Sequence, residues 1–292
     1  MATYSDSTMD FRHVDVFADR AFSGNGLIVF FGGLDRAREE LLAITMEMRQ
    51  FESIFLSDRH AEGEVSARIF TAQEELDFAG HPIIGAAAAA HERWTGNDDE
   101  LSWTFRLGER EIEVKTRRDR AFYSATMNQG RATLGDPLDG SSTASFLSML
   151  GLGSADRRDL PMQVVSTGLP YLIVPVTPEG LEKARIDAGD FESHLLAAGA
   201  KFVYVFDPEG REGRTWDNAG DVEDIATGSA AGPAAAYLLE HGAITDSSFT
   251  LTQGRFTGRP SSMSVAIAEN ADIWVGGPVA PVASGVLDVR PI

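Results

Sequence analysis

From Gly228 to Leu239 the chain carries no charged side chain, while Glu223-Asp-Ile-Ala-Thr leads in and Glu240-His-Gly leads out. Ala234 to Leu239 is a strong helix former, Thr227 and Ser229 are capping residue types, and Gly242 stands where a helix would stop. A helix that is apolar all round must be buried. The stretch therefore predicts a turn opening into a core helix whose polar start, Asp224, Thr227 and Ser229, reaches out of that core. Backbone N–H groups and the positive dipole end at such a start make a seat for a carboxylate or phosphate. A capped core helix with no ligand accounts for this segment equally well.

An earlier stretch has the same character. Glu75 to Ala90 reads Glu-Leu-Asp-Phe-Ala-Gly-His-Pro-Ile-Ile-Gly followed by five Ala. Gly80-His81 can be laid over Gly228-Ser229, and Glu75 over Glu223, with an apolar helix following in both. An echo of this period predicts two related lobes, and two buried helices with polar starts facing a cleft between lobes would make a ligand site. For His81 alone a structural role is the simpler account, because Gly-His-Pro is also a good helix entry.

At 292 residues the chain is long enough for two lobes, and with 43% apolar and 24% charged residues it is globular in composition. The balance of 25 Lys+Arg against 44 Asp+Glu, a net charge of -19, argues against nucleic acid and anionic membranes as partners. There is no cysteine, which removes disulfides, thiolate nucleophiles and Cys-based metal sites. The six His are scattered without a ligand spacing, so no metal is expected. Neither a signal pattern nor an apolar stretch of membrane-spanning length is present, and the expected compartment is the cytoplasm.

Residues 1 to 9 read as a loose tail, Phe11 to Phe17 and Leu27 to Phe31 as strands, and Asp35 to Gln50 as a helix. The chain then enters Phe51-Glu-Ser-Ile-Phe-Leu56, an apolar strand whose one charge is Glu52. With a period of two, Glu52 shares a face with Ile54 and Leu56. A carboxylate there is poorly solvated, and its pKa should rise toward the range a general base needs. The alternative is a structural Glu paired with Arg49. Strand patterns recur over Val65 to Phe70, Trp103 to Val114, Ala121 to Met127 and Met162 to Val176, the last broken by a Gly-Leu-Pro corner. Phe202 to Phe206, Ser248 to Gln253, Ser262 to Ile267 and Asp272 to Gly276 follow, with short helices over Ala144 to Leu152 and Ser193 to Ala200 and turns over Gln129 to Gly140. Strands outnumber helices and are spaced like hairpins. The expected class is α+β, two mostly antiparallel lobes each wrapped on a buried helix, with 10–130 as the first lobe and 131–292 as the second, strand exchange at the termini being allowed.

Taken together, Glu52 in Phe-Glu-Ser-Ile-Phe, Asp77-Phe-Ala-Gly-His-Pro with Gly85, Ser166-Thr-Gly-Leu, Glu223-Asp-Ile-Ala-Thr-Gly-Ser-Ala, and Gln253-Gly with Gly258-Arg-Pro-Ser resemble the PhzF-like family of phenazine biosynthesis, in order and from about Phe11 to Gly285. The resemblance implies a diaminopimelate-epimerase-like fold, two pseudo-symmetric lobes each with a barrel-like sheet around a central helix, commonly dimeric. It also implies a cofactor-independent isomerase of a small carboxylated substrate, the best understood member acting on trans-2,3-dihydro-3-hydroxyanthranilate. By similarity, Glu52 would move the proton, with His81 and Asp224 beside it in the catalytic set. Gly80, Thr227, Gly228 and Ser229 would bind substrate. The cysteine pair of epimerases with this fold is absent. Ile225 and Gly26 stand where the family often has Pro. An epimerase using Glu52 and Asp224 as opposed bases, and a binding protein without turnover, are the other readings.

Overall fold

The computed structural model describes residues 8–57, 63–95, 98–119 and 122–289. The tail expected over 1 to 9 lies outside them, apart from Thr8 and Met9, which open the first strand. The chain forms two compact units. One takes everything up to Asn128 together with the segment from Gly276 onward, and the other is Gln129–Val275. The sequence-based division gave 131–292 to the second lobe. The difference lies in the last strand, which pairs with the first.

The first unit contains β1 (Thr8–Val16), β2 (Asn25–Phe31), α1 (Arg38–Met48), β3 (Glu52–Leu56), β4 (Glu64–Thr71), β5 (Glu75–Leu76), α2 (Gly80–Thr95), β6 (Glu100–Leu107), β7 (Arg110–Asp119) and β8 (Phe122–Asn128). Strands run in the order β1-β2-β3-β4-β6-β7-β8, and the long β16 (Ile273–Asp288) closes the ring by pairing with both β8 and β1. An eight-stranded ring has little interior room, so whatever fills it must be slim. Helix α2 meets that requirement: Gly80 to His91 is buried throughout, and Ala86 to Ala90 give a strong helix former with almost no side-chain bulk. At Gly85 even a methyl group is too much, since a Cβ there would lie 2.5 Å from Leu27 Cδ2 and 2.7 Å from Val16 Cγ2.

The second unit contains β9 (Thr133–Pro137), α3 (Gly140–Met149), β10 (Gln163–Ser166), β11 (Pro170–Pro175), α4 (Pro178–Lys183), α5 (Phe191–Ala197), β12 (Phe202–Asp207), β13 (Glu212–Arg214), α6 (Gly228–Glu240), β14 (Ser248–Gln253) and β15 (Ser261–Ile267). Its order is β9-β10-β11-β12-β13-β14-β15. Leu172, Val174, Phe191 and Val203 lie in one fully buried cluster with Phe146 and Leu150. Helix α6 ends at Glu240, and Gly242 takes the left-handed conformation, φ +65°, that terminates it.

Antiparallel pairing predominates, as expected, but the hairpin-like spacing conceals a second device. In the first unit β2–β3 and β4–β6 are parallel, and in the second β11–β12 and β13–β14 are. Each parallel pair is joined through helix, and α2 and α6 are two of these crossovers. A crossover helix covers the sheet it connects, which is why both are apolar all round.

The registers make the repeat explicit. Phe55 faces Arg68 on β4, and Val205 faces Arg214 on β13. Phe70 pairs with Glu75, and Trp216 bridges to Glu223. Helix α2 then begins at Gly80 and α6 at Gly228, so Glu75 matches Glu223 and Gly80 matches Gly228 in strand register and in distance to the helix start. Among the described residues no helix is long and apolar enough to cross a membrane.

Candidate active site

Glu52 opens β3, in parallel register with Leu27 on β2 and opposite Thr71 on β4. It is only 7% exposed, as is His81, the second residue of α2. The strand and the crossover helix bring the two together: Glu52 Oε2 lies 3.4 Å from His81 Nδ1. Burial pushes the imidazole down to about 3, so the ring is neutral at ordinary pH. Its other nitrogen, Nε2, is buried with no hydrogen-bond partner among the described residues. A buried polar atom of this kind is costly unless something supplies the missing bond.

His91, nearly three turns further along α2, shows the contrast. Its Nε2 lies 3.0 Å from the Asp98 carbonyl and its Nδ1 2.8 Å from Thr116 Oγ1, so both nitrogens are used and the ring is structural.

The neutral state of His81 has a consequence for stability. An unfolded His titrates near 6.5 while the native ring takes up a proton only near 3, so between those values the unfolded chain binds more protons. The contribution is fully present above pH 6.5 and declines as pH falls toward 3. Roughly 2 to 3 kcal/mol should be gone by pH 4.5. Urea unfolding at pH 7 and 4.5 should show a smaller drop in His81→Gln than in the wild type. Equal drops would remove the claim.

In the second unit, Asp224, Thr227, Gly228 and Ser229 gather at the start of α6. Thr227 precedes the helix as a capping residue should, but no side chain caps it. Its hydroxyl instead donates to Asp224 Oδ2 at 2.5 Å and accepts from Gln253 Nε2 at 3.0 Å. Gln253 locks the turn further, donating to the Asp224 carbonyl at 2.9 Å and accepting from the Thr227 N–H at 3.3 Å. Thr227 is therefore a link in the turn rather than the cap its type suggests, and the first helical amides are left to other partners.

Ser229 Oγ lies 2.7 Å from Tyr171 OH. Gln129 Nε2 donates to the Gly228 carbonyl at 2.8 Å and is aimed by Thr167, whose hydroxyl donates to Gln129 Oε1 at 3.0 Å. The Ser166-Thr-Gly-Leu motif thus acts through Thr167 on the helix start. Gly232 permits this, since a Cβ there would sit 2.1 Å from Gln129 Oε1. Sequence reasoning put Gln129 in a turn-rich stretch and assigned no role to Tyr171. Neither residue type carries a chemical signal, and only a glycine four residues into an apolar helix marks the approach.

Of the predicted residues, Glu52, Gly80 and His81 come together in the first unit, and Asp224, Thr227, Gly228 and Ser229 in the second. Glu52 does not pair with Arg49 as the alternative had it; Arg49 ends α1 in the left-handed conformation, φ 53°. At Gly26, where the family often has Pro, a Cβ would lie 2.4 Å from Gln50 Oε1, so the Gln50 amide occupies that space. Among the described residues, which exclude His60, no group of three or more His, Asp or Glu could hold a metal ion.

Residues 14–285 match the family model described as phenazine biosynthesis-like protein. The trans-2,3-dihydro-3-hydroxyanthranilate isomerase of Pseudomonas aeruginosa is 32% identical over 265 residues, covering 88% of this chain and 90% of that protein. The solved structure of a protein named Predicted Epimerase PA4716, from the same organism, is 45% identical with a TM-score of 0.90, over 96% of this chain and 99% of that one. A hydroxyproline epimerase from Agrobacterium vitis shares the fold at 13% identity and a TM-score of 0.61, covering 98% and 94%. The architecture is the diaminopimelate-epimerase-like fold.

Proposed function

The chain belongs to the phenazine biosynthesis-like protein family and is an isomerase, and we propose that it moves a proton on a small carboxylated cyclic substrate without a cofactor, Glu52 removing the proton and returning it to another carbon. The observation that carries the reading is the buried pair of Glu52 and neutral His81, 3.4 Å apart, with His81 Nε2 still lacking a hydrogen-bond partner among the described residues. Proton abstraction from carbon needs a base in a site protected from water, with polar groups that hold the substrate still. In this assignment the C–H electrons pass into the substrate π system as Glu52 takes the proton, and the same carboxylic acid reprotonates the skeleton elsewhere. His81 Nε2 holds a substrate hydroxyl or amino group. Gly80 allows close approach of the backbone, and in the second unit the start of α6, with Ser229 and Asp224 beside helix amides that no side chain caps, is by itself a polar seat of the kind that takes a carboxylate.

Epimerisation with Glu52 and Asp224 as opposed bases is favoured by the name of the 45%-identical structure. The register of the repeat weighs against it. Three residues before Phe55 stands Glu52, and three residues before Val205 stands Phe202, paired with Tyr171 as Glu52 is with Leu27. The second unit thus carries an aromatic ring where the first carries its carboxylate, and Asp224 is engaged by Thr227.

The test is proton NMR of trans-2,3-dihydro-3-hydroxyanthranilate with the protein in D₂O. Rearrangement is the expected result; an unchanged spectrum rejects this substrate. Inversion with exchange at a single stereocentre of a cyclic amino acid would favour the epimerase. By similarity to the family the protein is a homodimer, and sedimentation at micromolar concentration should show twice the chain mass.

A further inference from the structure

Each unit builds the same ionic device just ahead of its central helix. In the first, Arg68 Nε and Nη2 donate to the two oxygens of Glu75 at 2.7 and 2.9 Å. Arg68 Nη1 reaches the Arg36 carbonyl at 3.1 Å, in the connection between β2 and β3, and the guanidinium lies 5.1 Å from the Phe70 ring centroid. In the second, Arg214 Nε and Nη2 donate to Glu223, both at 2.8 Å. Arg214 Nη1 reaches the Leu181 and Ala184 carbonyls at 2.7 and 3.0 Å, in the connection between β11 and β12, and the guanidinium lies 4.7 Å from the Trp216 ring.

Both forks occupy equivalent registers, and in both the helix begins five residues after the Glu. The side chains offered as chemistry differ between the units: Glu52 against Phe202, His81 against Ser229. What repeats is the fork. A bidentate Arg–carboxylate pair fixes direction as well as distance, and an Arg that also holds backbone carbonyls cannot be replaced by Lys without losing that geometry.

We propose that Arg68–Glu75 and Arg214–Glu223 are positioning pairs, each anchoring the turn that aims the first residues of its own central helix, Gly80-His81 in one unit and Gly228-Ser229 in the other. That this aiming serves substrate binding and proton transfer rests on the functional reading above. Mutual hydrogen bonding holds the Glu75 carboxyl below and the Arg68 guanidinium above their ordinary values, as a closed pair requires.

Backbone hydrogen exchange read by mass spectrometry tests the device without any substrate. In Glu223→Gln and Arg214→Lys, amides over 224–231 should exchange at least ten-fold faster while those over 77–84 keep the wild-type rate. Glu75→Gln and Arg68→Lys should give the reverse pattern. Unchanged exchange, or acceleration of both segments in step with a lowered melting temperature, overturns the proposal. Steady-state kinetics adds the functional arm: Glu223→Gln should raise KM about ten-fold with kcat held, and Glu75→Gln should lower kcat and raise KM together, since His81 faces Glu52 and also holds a substrate group. If Ser229→Ala leaves KM unchanged, the α6 carboxylate seat fails and the exchange result still decides the forks. If Ser229→Ala raises KM and Glu223→Gln does not, the forks have no role in binding.

Discussion

Glu52→Gln should lower turnover by about 10³-fold or more, the order a general base contributes, while leaving the melting temperature close to that of the wild type. Gln matches Glu in shape, so β3 keeps its pairing with Leu27 and Thr71 and the contact with His81 keeps its geometry. What disappears is a group able to hold a proton. Gln keeps polar side-chain atoms at the same place without an ionisable group, so the fold is not expected to suffer. In D₂O the variant should also stop exchanging substrate hydrogen for deuterium. That second readout separates the mechanisms, because a two-base enzyme retaining Asp224 would still exchange one enantiomer. Near-normal turnover in the variant would falsify the assignment of the base.

Gly254→Ala should be the most damaging single methyl group in the second unit. Gly254 follows β14 at φ +85°, and a Cβ there would sit 2.3 Å from the Arg259 carbonyl oxygen and 2.6 Å from that of Ile225. Both obstacles are backbone, so neither can rotate aside. Left-handed strain and the overlap together should cost about 3 kcal/mol, or roughly 6 to 12 °C in melting temperature. The damage should also reach binding, since Ile225 lies between Asp224 and the helix start, and Gln253, the adjacent residue, holds Thr227 through three hydrogen bonds with the turn. Gly108→Ala is the control: φ is +59° but nothing lies within 4 Å, so only the backbone term of about 1 kcal/mol applies. Calorimetry on the two variants checks the contrast, and comparable melting temperatures would sink the steric argument.

The parts of this protein visible in its sequence are those where local composition and tertiary role agree. Alanine and leucine runs over α2 and α6 spell out burial, and Glu52 stands out as the lone carboxylate in Phe51 to Leu56 whatever its partner. The rest depends on contacts between distant residues. Strand β9 holds Gly135, Asp136 and Pro137, a turn composition, and becomes a strand only because β10 pairs with it, through an irregular register. Strand β13 is short and needs Gly213, whose absent side chain leaves room for the Tyr204 ring. The final strand reads as ending at Gly276, because Gly277, Pro278 and Pro281 are poor strand formers, yet it continues to Asp288 along β1. Glu75 and Glu223 were legible as an echo, but Arg68 and Arg214 were not, since the spacing to the Glu differs between the copies and only the strand register aligns them.

The return of the final strand to β1 also bears on how the protein is made. The second unit is one uninterrupted stretch, Gln129–Val275, so it is delivered to folding as a single continuous segment. The first is not: β1 and β8 face open edges until the residues from Gly276 onward arrive, long after β1 was synthesised. Unpaired edges of this kind invite wrong partners, and long-range pairing is slow. The first unit to be translated is thus the last to finish folding, and polysomes or truncated products ending before Gly276 are where aggregation should begin.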